Sequence, residues 1–433
     1  MLTRCLSVLP IVAMVSSGAS PRLGGVRITP DAEHWIGTWA AAPQPARPGS
    51  PRTFRNQTLR LVVHTSVGGT KVRIKLSNTF GDRPLTIGSA HVARRTAGAE
   101  IDPASDRALL FRGRPSTSIP AQSTVVSDPV DLAVPALSDL AISLFFPDTV
   151  AETTSHTLAL QTNYVSPQTG DAAGRAEFPV ETTIVSWPFL TGVDVAASAS
   201  GAAIVAFGSS TTDGDGSTRD ANRRWPDLLA ERLQQSSDGA SELGVLNEGL
   251  IGNRLLYDSP RGADNPFGRV LGQAGLARFD RDVLAQSGVK YVVIGLGVND
   301  ILFPAFPFTP PSETVTPADV INGYRQLIGR SHKKGIRVIG TTIPPFEDAT
   351  FSSGALNLSL YTVERDRARQ AVNEWIRHSA EFDAIVDFDE ALRDPARPTR
   401  LLQEYASGDH LHANDSGNVA QANAFRLDVF HRR

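Results

Sequence analysis

A change of pattern near residue 200 most constrains how this chain can fold. Beyond it, short apolar runs alternate with stretches of helical periodicity, whereas the preceding part holds mainly short alternating runs broken by Gly, Pro and Asp. Strand–helix alternation predicts a parallel sheet covered on both faces, and short alternating runs predict an antiparallel β-sandwich. Because 433 residues exceed one ordinary core, we expect a sandwich domain at 31–195 and an α/β domain at 200–433.

The individual elements follow from periodicity. Predicted strands of the parallel sheet are 203–207, 244–246, 291–294, 338–342 and 384–388, and predicted helices are 222–233, 269–286, 317–333, 362–379 and 416–430. Predicted strands of the sandwich are 58–67, 71–76, 140–146 and 157–165, the first two forming a hairpin whose charged face meets water. In a parallel sheet of this kind, ligands bind where the strands end.

The N-terminus has the features of a secretory signal peptide. Arg4 precedes an apolar run at 5–15, which is shorter than a membrane span, and small residues follow it up to Ala19. We therefore expect a signal peptide at 1–19 and a secreted, extracellular protein. Cleavage there removes Cys5, the only cysteine. Three N-x-Ser/Thr sequons fit a glycoprotein, although such triplets also arise by chance; they begin at Asn56, Asn357 and Asn414.

The composition narrows the choice of partners. Lys and Arg number 42 against 45 Asp and Glu, giving a formal net charge of −3 without a basic block. A nucleic-acid partner is therefore not expected. No membrane span is expected either, and the oligomeric state stays open.

A candidate nucleophile follows the first strand of the predicted parallel sheet. The apolar run 204–207 breaks into Gly208-Ser209-Ser210-Thr211. A serine at this break presents its hydroxyl beside the amides that open the next helix, which suits an acyl intermediate. The alternative is an ordinary turn of small polar residues.

A candidate base lies near the C-terminus, in Gly408-Asp409-His410-Leu411-His412. A carboxylate three residues before an imidazole can accept its ring N–H, so Asp409 would orient His412. Two alternatives remain: His410 and His412 could form half of a metal site, or Asp409 could cap the following helix.

Candidate oxyanion donors follow two other strands. Gly252 allows close approach of a backbone N–H, and Asn299 offers a side-chain amide. Read singly, each is more typical of a structural turn. Gly295-x-Gly297 does not fit a dinucleotide loop, because Asp300 stands where a third glycine is needed.

Together these four blocks resemble those of the SGNH, or GDSL, hydrolase superfamily, in the family's order across 202–433. The resemblance implies a flavodoxin-like three-layer α/β fold and ester hydrolysis without a cofactor or metal. It implies Ser210 as nucleophile and first oxyanion donor, Gly252 and Asn299 as further donors, Asp409 as orienter and His412 as base. The N-terminal region also resembles the β-sandwich that precedes this domain in some secreted members.

One departure from the family pattern concerns Ser209, which stands where the family has Asp. That carboxylate normally helps to brace the nucleophile loop. Trp225, Arg254 and the Phe-rich loop 303–311 are further candidates for lining a substrate pocket, or for ordinary packing.

The resulting hypothesis is a secreted, metal-independent serine esterase that removes short acyl groups, acetyl above all, from carbohydrate or a related small or polymeric ester. The alternatives are a longer-chain lipase or lysophospholipase, an acyltransferase, and a catalytically silent carbohydrate-binding protein.

Overall fold

Antiparallel strands make up the N-terminal region of the computed structural model, which describes residues 33–46, 52–236, 240–261, 264–354 and 356–430. The predicted signal peptide at 1–19 lies outside the described residues. The strands of this region are β1 (Trp35–Ala40), β2 (Gln44–Pro45), β3 (Thr53–Phe54), β4 (Gln57–His64), β5 (Gly69–Ser77), β6 (Leu85–Ile87), β7 (Ser89–Arg94), β8 (Arg107–Ala108), β9 (Thr117–Ile119), β10 (Thr124–Val126), β11 (Val130–Val134), β12 (Asp139–Phe146), β13 (Val150–Ala151), β14 (Thr154–His156), β15 (Asn163–Val165), β16 (Thr182–Ile184), β17 (Trp187–Pro188) and β18 (Leu190–Ala196).

Two antiparallel sheets form the sandwich. One has the order β1-β18-β5-β10, with β11 also paired to β5, and the other has the order β16-β15-β4-β12-β7-β8. Alternate side chains of the central strands point between the sheets, as the period of two requires. One buried cluster therefore contains Leu59, Leu61 and Val63 from the second sheet and Val72 and Ile74 from the first. The predicted antiparallel sandwich is confirmed.

The predicted hairpin between β4 and β5 is wrong, because these two strands belong to different sheets. Gly68 and Gly69 carry the chain from one sheet to the other rather than through a tight turn within one. The crossing is too crowded for side chains: a Cβ on Gly69 would lie 2.6 Å from Cβ of Val195. The double glycine thus marks a close approach of backbone and not a hairpin loop.

The charged face of β5 does not simply meet water as expected. The Nε of Arg73 donates to Asp194, and its Nη2 donates to Ser287 in the C-terminal region at 3.2 Å. Similarly, Nζ of Lys75 donates to Gln286 at 3.2 Å. This face contacts the α/β region.

The C-terminal region alternates strands and helices. Its strands are β19 (Ala202–Gly208), β20 (Leu243–Gly249), β21 (Val289–Gly295), β22 (Arg337–Thr341), β23 (Thr350–Ser353), β24 (Leu356–Ser359), β25 (Ala384–Val386), β26 (Arg393–Asp394) and β27 (Arg397–Leu401). Its α-helices are α1 (Ser210–Asp213), α2 (Trp225–Gln234), α3 (Gly275–Phe279), α4 (Val298–Leu302), α5 (Pro317–His332), α6 (Val363–His378), α7 (Phe388–Leu392) and α8 (Asp415–Asn423).

The main sheet of this region is parallel and has the order β20-β19-β21-β22-β25. This is the flavodoxin-like order, so the predicted fold class is confirmed. Successive residues of β19 enter different cores: Val205 and Phe207 belong to one buried cluster, and Ile204 and Ala206 to another. Helices on both faces therefore bury a strand that is apolar throughout.

Two predicted helices differ from the observed ones. The helix expected at 269–286 begins only at Gly275 and continues as a π-helical turn at Asp280–Leu284, after an irregular stretch in which Gly272 has φ +81°. The helix expected at 416–430 ends at Asn423, and a 3₁₀ turn follows at Leu427–Phe430. Apolar periodicity continues through both breaks, which explains the error.

The sandwich and the α/β region touch closely, and His34–Arg433 form one compact unit. A Cβ on Gly244 of β20 would lie 2.3 Å from the carbonyl oxygen of Gly37 in β1, so the two strands can approach only because both residues lack side chains. The division at 31–195 and 200–433 stays a prediction. Within the described residues, no helix combines the length and apolar character needed to cross a bilayer.

Candidate active site

The predicted nucleophile lies where a buried strand is followed by a helix. Strand β19 ends at Gly208, and α1 begins at Ser210, which is only 5% exposed. Its hydroxyl therefore lies beside the backbone amides that begin the helix. A Cβ on Gly208 would lie 2.0 Å from Oγ1 of Thr212, so the strand end requires glycine. The local sequence thus places a hydroxyl at the carboxyl edge of the sheet.

His412 and Asp409 form a hydrogen-bonded chain with this hydroxyl. The Nε2 of His412 lies 2.7 Å from Oγ of Ser210, and its Nδ1 lies 2.6 Å from Oδ2 of Asp409. Because an ionised carboxylate only accepts, Nδ1 carries the proton and Nε2 can accept from the hydroxyl. Asp409 is not a helix cap: α8 begins after Asn414, whose side chain accepts from the amide of Gly417.

The loop around Asp409 keeps its carboxylate ionised. Its Oδ1 accepts from the hydroxyl of Ser407 at 2.7 Å and from the amides of Leu411 and His412 at 2.9 and 3.0 Å. Burial alone would raise the pKa of Asp409, but the hydrogen bonds and the charge of His412 hold that pKa well below its ordinary value.

A second carboxylate faces the same imidazole. Oδ2 of Asp215 lies 3.7 Å from Nδ1 of His412. Burial lowers the pKa of His412, but the hydrogen bond to Asp409 and the negative charges of Asp215, Asp409 and Asp213 raise it above its ordinary value of 6.5. The pKa of Asp215 is itself raised, chiefly by burial. The ring is therefore surrounded by charges that favour its protonated form.

The predicted oxyanion donors line the same cavity as the nucleophile. Ser210, Gly252 and Asn299 all contribute to its wall. Gly252 has φ +67°, and a Cβ there would lie 2.7 Å from Leu271, so the turn requires glycine. Nδ2 of Asn299 donates one hydrogen to the carbonyl of Asn253 at 2.9 Å, which leaves its second N–H for a substrate oxygen.

Asp300 holds the two donor loops together. Its carboxylate accepts from the amides of Leu255 and Leu256 at 2.7 and 2.9 Å, and it lies next to Asn299 in α4. Burial raises the pKa of Asp300 to about 6. The Asn299 loop is thereby tied to the loop that carries Gly252.

The cavity beside Ser210 measures about 300 Å³ and is largely apolar. Its apolar lining residues are Ile251, Phe267, Val270, Leu271, Leu302, Phe303, Phe306, Phe351, Leu360 and Leu411. Two of these belong to the loop 303–311 that was a candidate wall. Phe308 of the same loop packs behind the wall, against Phe306 and Phe267.

The nucleophile loop is braced without the family's carboxylate. Ser209 is fully buried, and its Oγ has no hydrogen-bond partner among the described residues. Instead, Arg278 lies buried with its Nη2 donating to the carbonyl of Gly208 at 2.9 Å and its Nη1 donating to the carbonyl of Glu248 at 2.9 Å. Asp282 neutralises this guanidinium at 3.0 Å. One side chain thus fixes the ends of both β19 and β20.

The remaining sequence candidates have packing roles. Trp225 is buried and stacks on Phe425. Arg254 is buried, pairs with Glu313 at 2.7 Å and lies over the ring of Phe303, so it supports the cavity wall from behind. Across the part of the chain that the structure describes, no group of three or more His, Cys, Asp or Glu could hold a metal ion.

Sequence reasoning missed three residues around the site: Asp215, Arg278 and His156. Asp215 lies five residues after Ser210, beyond the turn at Gly214, and only the fold shows that it faces His412. Arg278 had no signal for its contact with the nucleophile loop, because the partner there is the backbone carbonyl of Gly208. His156 belongs to the sandwich, yet its Nε2 lies 2.9 Å from Asp213 in α1.

Comparisons with solved structures place esterases and lipases among the similar folds. The aryl esterase of M. smegmatis is 17% identical over 52% of this chain and 95% of its own, with a TM-score of 0.37. A carbohydrate acetylesterase from Sinorhizobium meliloti is 16% identical over 52% and 95%, with a TM-score of 0.36. A GDSL-like lipase from Bacteroides thetaiotaomicron is 16% identical over 51% and 84%, with a TM-score of 0.33.

The comparison with curated proteins gave no match. The family model described as GDSL-like lipase/acylhydrolase matches residues 204–425, slightly more than half of the chain. The match covers Ser210, Gly252, Asn299, Asp409 and His412. The chain belongs to the family of GDSL-like lipases and acylhydrolases and is a carboxylic ester hydrolase.

Proposed function

We propose that this protein is a secreted serine esterase that hydrolyses small esters of short acyl groups through an acyl-enzyme. The observation that carries the proposal is the hydrogen-bonded chain from Oγ of Ser210 to His412 at 2.7 Å and on to Asp409 at 2.6 Å, at the edge of a cavity. A hydroxyl, a base and an orienting carboxylate in this order are what acyl transfer requires.

In the first half of the reaction, Oγ of Ser210 bonds to the ester carbonyl carbon while its proton passes to Nε2 of His412. The carbonyl oxygen becomes an oxyanion, which accepts hydrogen bonds from the amides of Ser210 and Gly252 and from Nδ2 of Asn299. The carbon–oxygen bond to the alcohol then breaks, and the alcohol leaves with the proton from His412.

In the second half, water attacks the acyl-enzyme and gives a proton to His412. The bond to Oγ of Ser210 breaks, the proton returns to Oγ, and the carboxylic acid leaves. Asp409 stays ionised throughout and stabilises the imidazolium of each half-reaction, and Asp215 adds a second negative charge near the ring.

The size of the cavity supports a short acyl group. About 300 Å³ is at the lower end of the range for ligand pockets, roughly 300–1,000 Å³, so a long fatty acyl chain would not be buried. Acetyl esters of carbohydrate are our expectation from the sequence. The aromatic wall of Phe303, Phe306 and Phe351 supports somewhat larger apolar acyl groups, such as butanoyl, as a second candidate.

Secretion rests on the signal-peptide pattern at 1–19. Of the three sequon asparagines, Asn414 caps α8, and its amide donates to the carbonyl of Glu404 at 2.9 Å. Asn56 and Asn357 are both exposed, but Nδ2 of Asn56 also donates, to the carbonyl of Gln168 at 3.3 Å. We therefore expect any glycan first at Asn357.

Labelling with a fluorophosphonate tests the proposal, with Ser210→Ala as the inactive variant and Ser209→Ala as the matched control. We expect the wild type and Ser209→Ala to be labelled and to cleave p-nitrophenyl acetate and butanoate, and Ser210→Ala to do neither. A folded wild type that is not labelled would instead favour the silent binding protein. Palmitoyl esters cleaved faster than butanoyl esters would favour the lipase alternative.

A further inference from the structure

A side chain of the sandwich reaches into the nucleophile helix. Strand β14 ends at His156, whose Nε2 lies 2.9 Å from Oδ1 of Asp213, the last residue of α1. Its Nδ1 lies 2.9 Å from the carbonyl oxygen of Ala42. The side chains of His156 and Asp213 are each only 3% exposed. The contact is therefore a buried link between the two regions.

Both ring nitrogens of His156 must donate. The carbonyl of Ala42 can only accept, and an ionised Asp213 can only accept. The ring is accordingly an imidazolium in a buried ion pair. Burial and the positive charge of Arg224 lower the pKa of His156, but Asp213 and the hydrogen bond to Ala42 outweigh them and raise it. Other ionisable groups around the same small cavity are His64 and Asp227.

Asp213 also contacts the loop that carries Gly252, the predicted oxyanion donor. Its second oxygen, Oδ2, accepts from the amide of Ile251 at 2.8 Å, and Gly252 is the next residue. The backbone just before this loop also packs closely on Asp213, since a Cβ on Gly249 would lie 2.2 Å from the backbone nitrogen of Asp213. The position of the Gly252 amide thus depends on where Asp213 is held.

The residue after His156 lines the catalytic cavity itself. Thr157 donates from its amide and its hydroxyl to Oε1 of Gln44 at 2.7 and 2.9 Å. The side-chain Nε2 of Gln44 donates in turn to the carbonyl of Val270, another residue of the cavity wall. Sequence reasoning placed Thr157 in a strand at 157–165, but the strand begins only at Asn163. The residues between Thr157 and Asn163 are therefore not part of a strand, and Thr157 at their start contacts the cavity of the α/β region.

We propose that the sandwich is part of the catalytic unit: His156 is a positioning residue that sets the place of the Gly252 amide through Asp213, and Thr157 forms part of the acyl-binding wall. This proposal rests on the proposed esterase function. It gives the N-terminal region a role in the reaction itself.

The positioning role of His156 is tested with His156→Gln in the full chain. Glutamine can donate to Asp213 or to the carbonyl of Ala42, but it cannot keep both bonds and the positive charge. The matched control is His91→Gln, whose partner Asp106 at 2.9 Å belongs to the sandwich as well. Turnover of p-nitrophenyl butanoate is measured per active site, counted by complete labelling with a fluorophosphonate.

We expect His156→Gln to lower kcat by roughly 10- to 100-fold, part of the effect of losing one oxyanion donor, with KM changed less than about twofold. His91→Gln should change neither. Counting active sites separates a positioning effect from a loss of folded protein. An unchanged kcat per site in His156→Gln, or an equal loss in His91→Gln, would overturn the positioning role.

Asp213→Asn supplies an independent check when kcat is compared on the alkaline plateau, where His412 is neutral in every variant: there its effect should not add to that of His156→Gln if both act through one chain of contacts. Additive losses would contradict that chain. The place of Thr157 in the wall is tested with Thr157→Leu, which should lower the ratio of kcat/KM for butanoyl esters to kcat/KM for acetyl esters, because the larger side chain occupies part of the cavity. An unchanged ratio would contradict a place for Thr157 in the wall. A wild type that resists labelling would refute the esterase function instead, so the two failures are distinguishable.

Discussion

Two histidine–aspartate pairs meet the short helix α1, one from the α/β region and one from the sandwich. His412 contacts Ser210 at its first residue, and His156 contacts Asp213 at its last. The His412 ring has a hydroxyl on one nitrogen and a carboxylate on the other, so it can take up and release a proton. The His156 ring has only acceptors on both sides, so it holds its proton.

In each pair an aspartate contacts one ring nitrogen, and the partner of the other ring nitrogen decides whether the histidine can release its proton. His412 and Asp409 are three residues apart in the chain and border a cavity. His156 and Asp213 are 57 residues apart and buried between two regions. The geometry therefore suits the pair of His412 and Asp409 to carrying a proton, as proposed above, and the pair of His156 and Asp213 to a fixed ionic link between the sandwich and α1.

The largest effect should come from removing the proposed base, His412. His412→Gln should lower kcat by about 10⁴- to 10⁶-fold, because Ser210 then has no base. Steady-state hydrolysis of p-nitrophenyl acetate measures it, and Ser209→Ala is the control, expected to stay close to wild type. Activity retained within tenfold in His412→Gln would exclude His412 as the base.

A smaller effect should follow from removing Asn299, a predicted oxyanion donor of the α/β region. Asn299→Ala should lower kcat by about 10²- to 10³-fold, since the lost hydrogen bond acts mainly in the transition state. Single-turnover acylation rates measure it. A change confined to KM would show that Asn299 binds the substrate without stabilising the oxyanion.

The ion pair between His156 and Asp213 should contribute to the free energy of unfolding and should not take part in proton transfer. Because the pKa of His156 is raised in the folded protein, its contribution is fully present below about pH 6.5 and is lost as the pH rises through the folded-state pKa. His156→Ala should therefore cost about 3 kcal/mol at pH 5.5, and less at higher pH. Urea unfolding at several pH values measures this, with His91→Ala as control; a cost that grows with pH would refute the ionic link.

The smallest effect should come from Asp215, whose negative charge contributes to the raised pKa of His412. In the proposed mechanism the base is neutral His412, so activity should fall on acidification through a pKa that is raised above the ordinary value of 6.5. Asp215→Asn removes a negative charge near the ring, which lowers the pKa of His412 and moves the acid limb of kcat/KM to lower pH, by about half a unit. A limb that moves to higher pH would contradict this assignment.

The parallel sheet and most of the site were predictable because their signals are local. Apolar runs in 203–207 and 291–294 mark buried strands, and the glycines and polar residues after them lie at the carboxyl edge by the geometry of the fold. The spacing of Asp409 and His412 lies within a single loop. The hairpin at residues 58–76 was wrong for the complementary reason: alternation predicts a strand, but not the strand with which it pairs.

By itself, the sequence determined the order of strands and helices in the α/β region, the placing of Ser210 at a strand end, and the Asp409–His412 unit, because each depends on neighbouring residues. Only the tertiary structure decided that Asp215 faces His412, that phenylalanines from separate segments form the cavity wall, and that His156 of the sandwich contacts Asp213. These contacts join residues far apart in the chain. They depend on how two packed regions meet, for which a local pattern carries no signal.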